Sequence, residues 1–473
     1  MDNPVGVGGV PSTVVGDRQG GLQRSVGFVG HLALVLSDIT PTASLLVIGP
    51  VVILTAGTGS VLAYILGGFI AVCIALCMGE LGSMYPTAGG LFSIVTQVLG
   101  KEVGFLAMLD YMGQAIFLPA SVAFGVGTYV TSLNPSIPTN LTAAGIMVLV
   151  TILALFQIRF NAILTGVFLL LELLVVSALL VSGVSHLHQP LSILTQGSVA
   201  AGSGLAPVTV SIVVSAIAVA LFSVNGYDSA INFSEETTGG AARVGRAVVT
   251  AALIGIIFEV IPFVAVVFGA PNLNSFLHST TPLTDVARDS FGSGFVTIII
   301  WGGILAIFNA SLAITLQFAR IVWAGGRDRA WPEPISSWLG KVSVTRNSPW
   351  VATLVVGGLA TILCLQSSLV AVVTFTAVLL IILYALIAIS ALVSRIRDRD
   401  LERPSRMPLW PVPPIIALVG SGLALTQQKG SDLLTVLGII IAGLIYYFAF
   451  LRPRRDRYWI HELHAESSPA SKS

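Results

Sequence analysis

The chain has 473 residues and a net charge of +1, with 55% of residues hydrophobic and only 10% charged; its mean hydropathy is +0.92. Soluble domains average about 25% charged residues, so a water-soluble enzyme or binding module is excluded. The three cysteines, Cys73, Cys77 and Cys364, all sit inside apolar runs, so packing accounts for them and no disulfide framework is implied.

Met1 to Arg24 is rich in Gly and Val and carries no apolar run with a cleavage signature, so a disordered cytoplasmic tail is expected and not a signal peptide. Crossing a bilayer takes about 20 apolar residues. Twelve stretches qualify, near 28–54, 59–79, 103–130, 141–158, 161–184, 208–234, 246–270, 294–323, 350–366, 369–394, 410–427 and 431–451. The polar trio Gln366-Ser367-Ser368 marks a tight hairpin between the ninth and tenth. With the amino terminus inside, the even-numbered connections and the tails collect all 23 basic residues except Arg288 and Lys429. That asymmetry is what the positive-inside rule requires. It predicts a multi-pass protein of the plasma membrane with both termini cytoplasmic. The charged residues after Tyr447 are expected to be disordered.

Spans one and six are each interrupted near the middle, at Ser37-Asp38-Ile39-Thr40-Pro41-Thr42-Ala43-Ser44 and at Phe222-Ser223-Val224-Asn225-Gly226-Tyr227-Asp228. Proline removes a backbone donor, and glycine and asparagine loosen helical geometry. Backbone freed in this way survives in a membrane only where protein or a polar cavity covers it. Paired breaks in corresponding halves point to the binding site of a secondary transporter. Spans one to five (about 25–185) and six to ten (about 205–395) then form two repeats, inverted because each holds an odd number of spans. Two extra spans occupy about 410–451, within a transmembrane domain of 25–451, and 452–473 is a second cytoplasmic tail. The expected fold is all-α, with twelve transmembrane helices in a 5+5 inverted repeat plus two.

Three segments carry a family likeness: GELGSMYPTAGGLFSIVTQVLG (Gly79 to Gly100), FSVNGYDSAINFSEETTG (Phe222 to Gly239) and ARIVWAGGRDRAWPEP (Ala319 to Pro334). They resemble the amino acid–polyamine–organocation permeases, over about residues 25 to 450. The resemblance implies the leucine-transporter fold, an aromatic outer gate at Phe222 and a protonatable group on the fifth helix. Many of these permeases have a Gly-rich first break whose bare amides hold the substrate carboxylate. Here Pro41-Thr42-Ala43-Ser44-Leu45 has no glycine, which looks more like the putrescine-permease branch.

Ionisable groups inside spans are costly and are functional candidates by default. Five carboxylates qualify, Asp38, Asp110, Glu172, Asp228 and Glu259, and no deep lysine, arginine or histidine neutralises them. At about 1.5 Å per residue, Asp38, Glu172 and Glu259 reach roughly 15–20 Å from the inner ends, near the midplane. Each must hold a proton or face a cation, as in a proton-coupled carrier of an amine-bearing solute. Asp38 and Asp228 would orient a substrate ammonium group, or else cap the half-helices. Thr40, Thr42, Ala43 and Ser44 face this site from the first break, and Phe222, Ser223, Asn225 and Tyr227 from the second. Glu172 and Glu259 are candidates for ion coupling, and the alternative for each is a protonated packing acid. Asn309 and Ser311 could ligate sodium or simply bond neighbouring helices. Glu80, Glu235, Glu236, Arg320, Arg327 and Asp328 could form an inner-gate network or a solvated polar edge.

The reading is a secondary-active permease for a small amino acid or biogenic amine, by proton symport or, as the second option, exchange. A polytopic enzyme would need a string such as H-E-x-x-H or G-x-S-x-G, and neither occurs. A channel is the third option. No cofactor, metal or nucleic-acid partner is expected.

Overall fold

The computed structural model describes residues 28–85, 89–156, 158–234, 241–343 and 348–460. Glu235, Glu236, the amino-terminal tail and residues 461–473 lie outside the described residues. The first apolar stretch folds as α1 (Phe28–Ile39), a single turn α2 (Pro41–Ala43), a π-helical turn over Ser44–Ile48 and α3 (Gly49–Ala56). Then come α4 (Ser60–Met84), the short α5 (Gly90–Leu99), α6 (Lys101–Leu133), α7 (Thr139–Ala154) and α8 (Ile158–Ser185). The second half opens with α9 (Val210–Ser223), which stops before the one-turn α10 (Ser229–Asn232). It continues through α11 (Ala241–Gly269), the short α12 (Leu273–His278), α13 (Pro282–Arg327), the short α14 (Glu333–Leu339), α15 (Trp350–Gln366) and α16 (Leu369–Arg397). Two further helices, α17 (Val412–Thr426) and α18 (Gly430–Tyr446), complete the set.

Among the described residues, seven helical segments can cross a bilayer by length and composition, and five further apolar helices run 10–17 residues. The chain is a multi-pass membrane protein. Side-chain caps set several helix starts. Thr209 Oγ1 accepts from Ile212 N at the head of α9, and Ser368 Oγ from Ala371 N at the head of α16. The latter serine belongs to the polar trio that divides the ninth stretch from the tenth. Lipid offers no hydrophobic drive between helices, so close packing of small residues takes its place. A Cβ on Gly245 of α11 would stand 2.4 Å from Gly79 O of α4, so these two helices touch backbone to backbone.

The fold is all-α, as expected, with one short hairpin outside the spans: β1 (Ser198–Ala201) pairs antiparallel with β2 (Gly204–Pro207), Ser198 opposite Pro207. This hairpin follows α8 and rests on the end of the first broken helix, where Ser198 N donates to Thr58 Oγ1 at 2.9 Å. One expectation needs correction: the chain after Tyr447 is not disordered as far as Ile460. A π-helical turn over Tyr447–Leu451 and a 3-10 turn over Arg452–Arg454 lead to Trp459, which is 2% exposed. Its indole Nε1 donates to Lys101 O at 3.0 Å, and its amide donates to Arg329 O at 3.0 Å. One large apolar ring thus anchors a segment whose charge pointed to disorder.

Candidate functional site

Both breaks form, and they meet. α1 ends at Ile39, Thr40 takes the left-handed conformation at φ 56°, and Pro41 starts the next turn without an amide hydrogen to place. The π-helical turn from Ser44 follows, a distortion common at functional sites. In the other half α9 stops at Ser223, and Gly226 sits at φ 110°. A Cβ on Gly226 would lie 2.6 Å from Asp38 O and 2.7 Å from Ile39 Cα. Only glycine permits both this φ and this approach.

Hydrogen bonds stitch the crossing. Ser44 Oγ donates to Ser223 O at 2.6 Å, and Tyr64 OH shares a 2.7 Å bond with Ser223 Oγ. His31 Nε2 lies 3.1 Å from Ala230 O, joining α1 to α10. Tyr384 OH on α16 donates to Asn225 Oδ1 at 2.6 Å. Asp228 stands at the N-cap position of α10, yet its side chain makes no cap bond. Instead it accepts from Tyr111 OH and, at 3.3 Å, from Gln317 Nε2. Asn232 Nδ2 in turn donates to the Tyr111 hydroxyl at 2.8 Å.

The deep carboxylates gather round the first break. Glu172 on α8 accepts from Thr42 N at 3.2 Å through Oε1, while Thr42 Oγ1 donates to Glu172 O at 3.0 Å. Glu259 is flanked one turn away on either side by Gly255 and Phe263. A Cβ on Gly255 would meet Ile39 Cγ2 at 2.8 Å, and a Cβ on Gly49 would meet Phe263 at 3.3 Å. Residues four apart share a helix face, so Glu259 faces the π-helical turn between those contacts. Asp38, Glu172, Asp228 and Glu259 are all buried. Among the described residues, both oxygens of Asp38 and of Glu259, Oε2 of Glu172 and Oδ1 of Asp228 have no hydrogen-bond partner. Thr40, Thr42, Ala43, Phe222 and Tyr227 are buried with them.

Other candidates lie elsewhere or pair differently. Asn309 Nδ2 donates to Ser37 Oγ at 2.6 Å, and Ser311 Oγ bonds Ile307 O of its own helix. Asp110 lines a separate cavity and accepts from Gln114. Glu80 takes Arg395 on both oxygens, at 2.8 and 2.5 Å, Arg403 NH1 at 2.8 Å and Met407 N at 2.6 Å. Its cations are therefore Arg395 and Arg403, not Arg320. Arg320 is buried, stacks on Phe233 at 5.0 Å and donates to Leu316 O. Arg327 Nε bonds Asp328 at 2.9 Å.

Sequence reasoning missed His31, Tyr64, Tyr111, Gln317 and Tyr384. The one available signal was a polar side chain within an apolar helix, where a hydroxyl, amide or imidazole needs a partner.

Comparison with known proteins places this geometry. The family model described as "Amino acid permease" matches residues 26–452. The methylthioribose transporter of Bacillus subtilis is 22% identical over 454 residues, 91% of this chain and 94% of the relative. The branched-chain amino acid permease BcaP of the same organism is 23% identical, over 91% and 94%. Its serine/threonine exchanger SteT is 24% identical, over 90% and 97%. With two helices parting at a shared crossing and that match, this transporter, which is not an enzyme, belongs to the amino acid–polyamine–organocation permeases.

Proposed function

We propose that the chain is a secondary-active carrier that moves a small amino acid or biogenic amine across the plasma membrane by alternating access, with proton symport as its energy source. The observation that carries this reading is the crossing of the two breaks beside buried, incompletely bonded carboxylates. A carboxylate deep in protein is costly unless it is paired or protonated. A solute ammonium beside Asp38 and Asp228 supplies the first remedy, and a proton on Glu172 or Glu259 supplies the second. Thr42, Ser44, Ser223 and Asn225 add hydroxyl, amide and backbone groups, and Phe222 covers the solute from one side. Relatives named for amino acids support the substrate class. The exchanger among them keeps antiport as the second reading of the same site.

Twelve spans in a 5+5 repeat, with both termini cytoplasmic, complete the proposal. Helix contacts support the repeat because they recur in mated pairs under a shift of five spans. α8 packs on α1, α11 and α13, while α16 packs on α9, α4 and α6. α6 packs on α7, and α13 on α15. The charge asymmetry of the connections supports the orientation.

Counterflow in proteoliposomes against a panel of amino acids and amines, with and without a pH gradient, tests the function. Saturable uptake stimulated by an alkaline interior and lost in Glu172→Gln is expected. Gradient-driven accumulation that survives this substitution removes Glu172 from coupling. Preference for a neutral or anionic solute over every amine-bearing one sinks the role given to Asp38 and Asp228.

A further inference from the structure

A second cavity lies away from the crossing, between α6, α16 and α18. It measures about 160 Å³, and its wall is hydrocarbon from residues such as Leu106, Phe117, Phe375, Leu379 and Ile440. One ionisable side chain lines it, Asp110, which is 7% exposed. Asp110 Oδ2 accepts from Gln114 Nε2 at 3.0 Å, and among the described residues Oδ1 has no partner. A half-satisfied carboxyl among alkyl walls has lost hydration without full replacement. At Gly443, α18 sits hard on α6, since a Cβ there would come within 2.5 Å of Leu109. One turn earlier Ile439 and Ile440 wall the cavity, and Ile439 is 38% exposed. The slot therefore opens sideways on an apolar helix face.

The walls specify the occupant: an aryl or alkyl body for the hydrocarbon and an ammonium for the lone acid. A cavity near 150 Å³ accepts a benzene ring. We propose that this cavity is a lipid-accessible binding site for hydrophobic amines, held by Asp110 and distinct from the chamber between the breaks. Its lining alternates with residues of that chamber. Tyr111, beside Asp110, donates to Asp228, and Tyr384, between Ile382 and Leu386, donates to Asn225. An occupant wedged between α6 and α16 presses on the two phenols that hold the second break. This coupling, unlike the binding itself, rests on the carrier reading.

The test reads binding first, with the full chain in nanodiscs and radiolabelled 4-phenylbutylamine as the probe. Saturable binding is expected, displaced by excess amine but not by 4-phenylbutanol. Asp110→Asn should weaken it at least about tenfold, as the loss of a charge-assisted bond implies. Ile440→Phe, which fills the slot and leaves the carboxyl in place, should weaken it too. Absence of saturable binding overturns the site, as does binding unchanged in Asp110→Asn or equal displacement by the alcohol. Binding lost in Asp38→Asn and retained in Asp110→Asn also overturns it, because the amine then occupies the central chamber. For the coupling, the amine should slow uptake by wild type and not by Ile440→Phe; uptake unaffected in wild type despite binding overturns that part.

Discussion

Glu80 and Glu259 are both buried carboxylates on apolar helices, and their surroundings are opposite. Glu80 receives two guanidinium groups and a backbone amide on its two oxygens. Among the described residues, Glu259 has no hydrogen-bond partner on either oxygen. The first arrangement is satisfied and fastens α4 to the end of α16 and the segment after it. The second is left unsatisfied by those residues, and the proposed proton coupling rests on that. Burial alone does not separate the two surroundings, but the partner set does.

The contrast can be broken most forcefully at its satisfied end. Glu80→Ala strands Arg395 and Arg403, which are 12% and 9% exposed, without their counter-charge. Unpairing a buried ion pair costs about 3–5 kcal/mol, so thermal unfolding of the purified protein should drop sharply. An unchanged melting temperature would show that the cluster holds nothing together. Next in size is Gly226→Ala, which forces a left-handed side chain, at about 1–2 kcal/mol, into the backbone of Asp38 and Ile39. Uptake should fall at least about tenfold, equivalent to ~1.4 kcal/mol, and near wild-type uptake would mean the breaks need not touch. Glu259→Gln sharpens the other side of the comparison. It removes no existing bond, so stability should stay within about 1 kcal/mol of wild type while pH-driven accumulation declines. A large loss of stability would instead make Glu259 a structural acid.

The smallest expected effect lies in the connection after α11. His278 ring nitrogens lie 2.8 Å from Asn274 O and 2.8 Å from Gly202 O, at the tip of the β1–β2 hairpin. Both partners only accept, so the imidazolium form makes both bonds, and they raise its pKa above the ordinary 6.5. Its stabilisation is complete below that ordinary value and is lost as pH rises through the higher folded one. Amide exchange in residues 198–207 should therefore speed up at alkaline pH beyond the intrinsic rate, and His278→Ala should abolish the difference. A pH-independent protection factor in wild type would contradict this.

Much of the architecture was legible because local chemistry encodes it. Pro41 and Gly226 announce two breaks, and Ser368 announces the hairpin it caps. That the breaks cross was implied by their pairing, whereas the bonds that hold the crossing were not. Glu80 finds Arg395 and Arg403 at sequence separations of 315 and 323, and no local pattern selects those cations over Arg320. Tyr111 and Tyr384 escaped for the same reason: a phenol reads as apolar filler until its partner is known. Trp459 escaped because five neighbouring charges, Arg452, Arg454, Arg455, Asp456 and Arg457, outweigh one ring in any composition window.

The seat of Trp459 has a practical consequence. Its indole and amide tie the segment after the last helix to Lys101 at the head of α6 and to Arg329 just beyond α13. Shortening the chain before this residue, as is often done to trim a charged terminus for crystallisation, would unbolt two parts of the transporter from each other. A cut or fusion point placed after Ile460 leaves the bolt intact, and a fluorophore attached there would ride on the rigid body and not on a free tether.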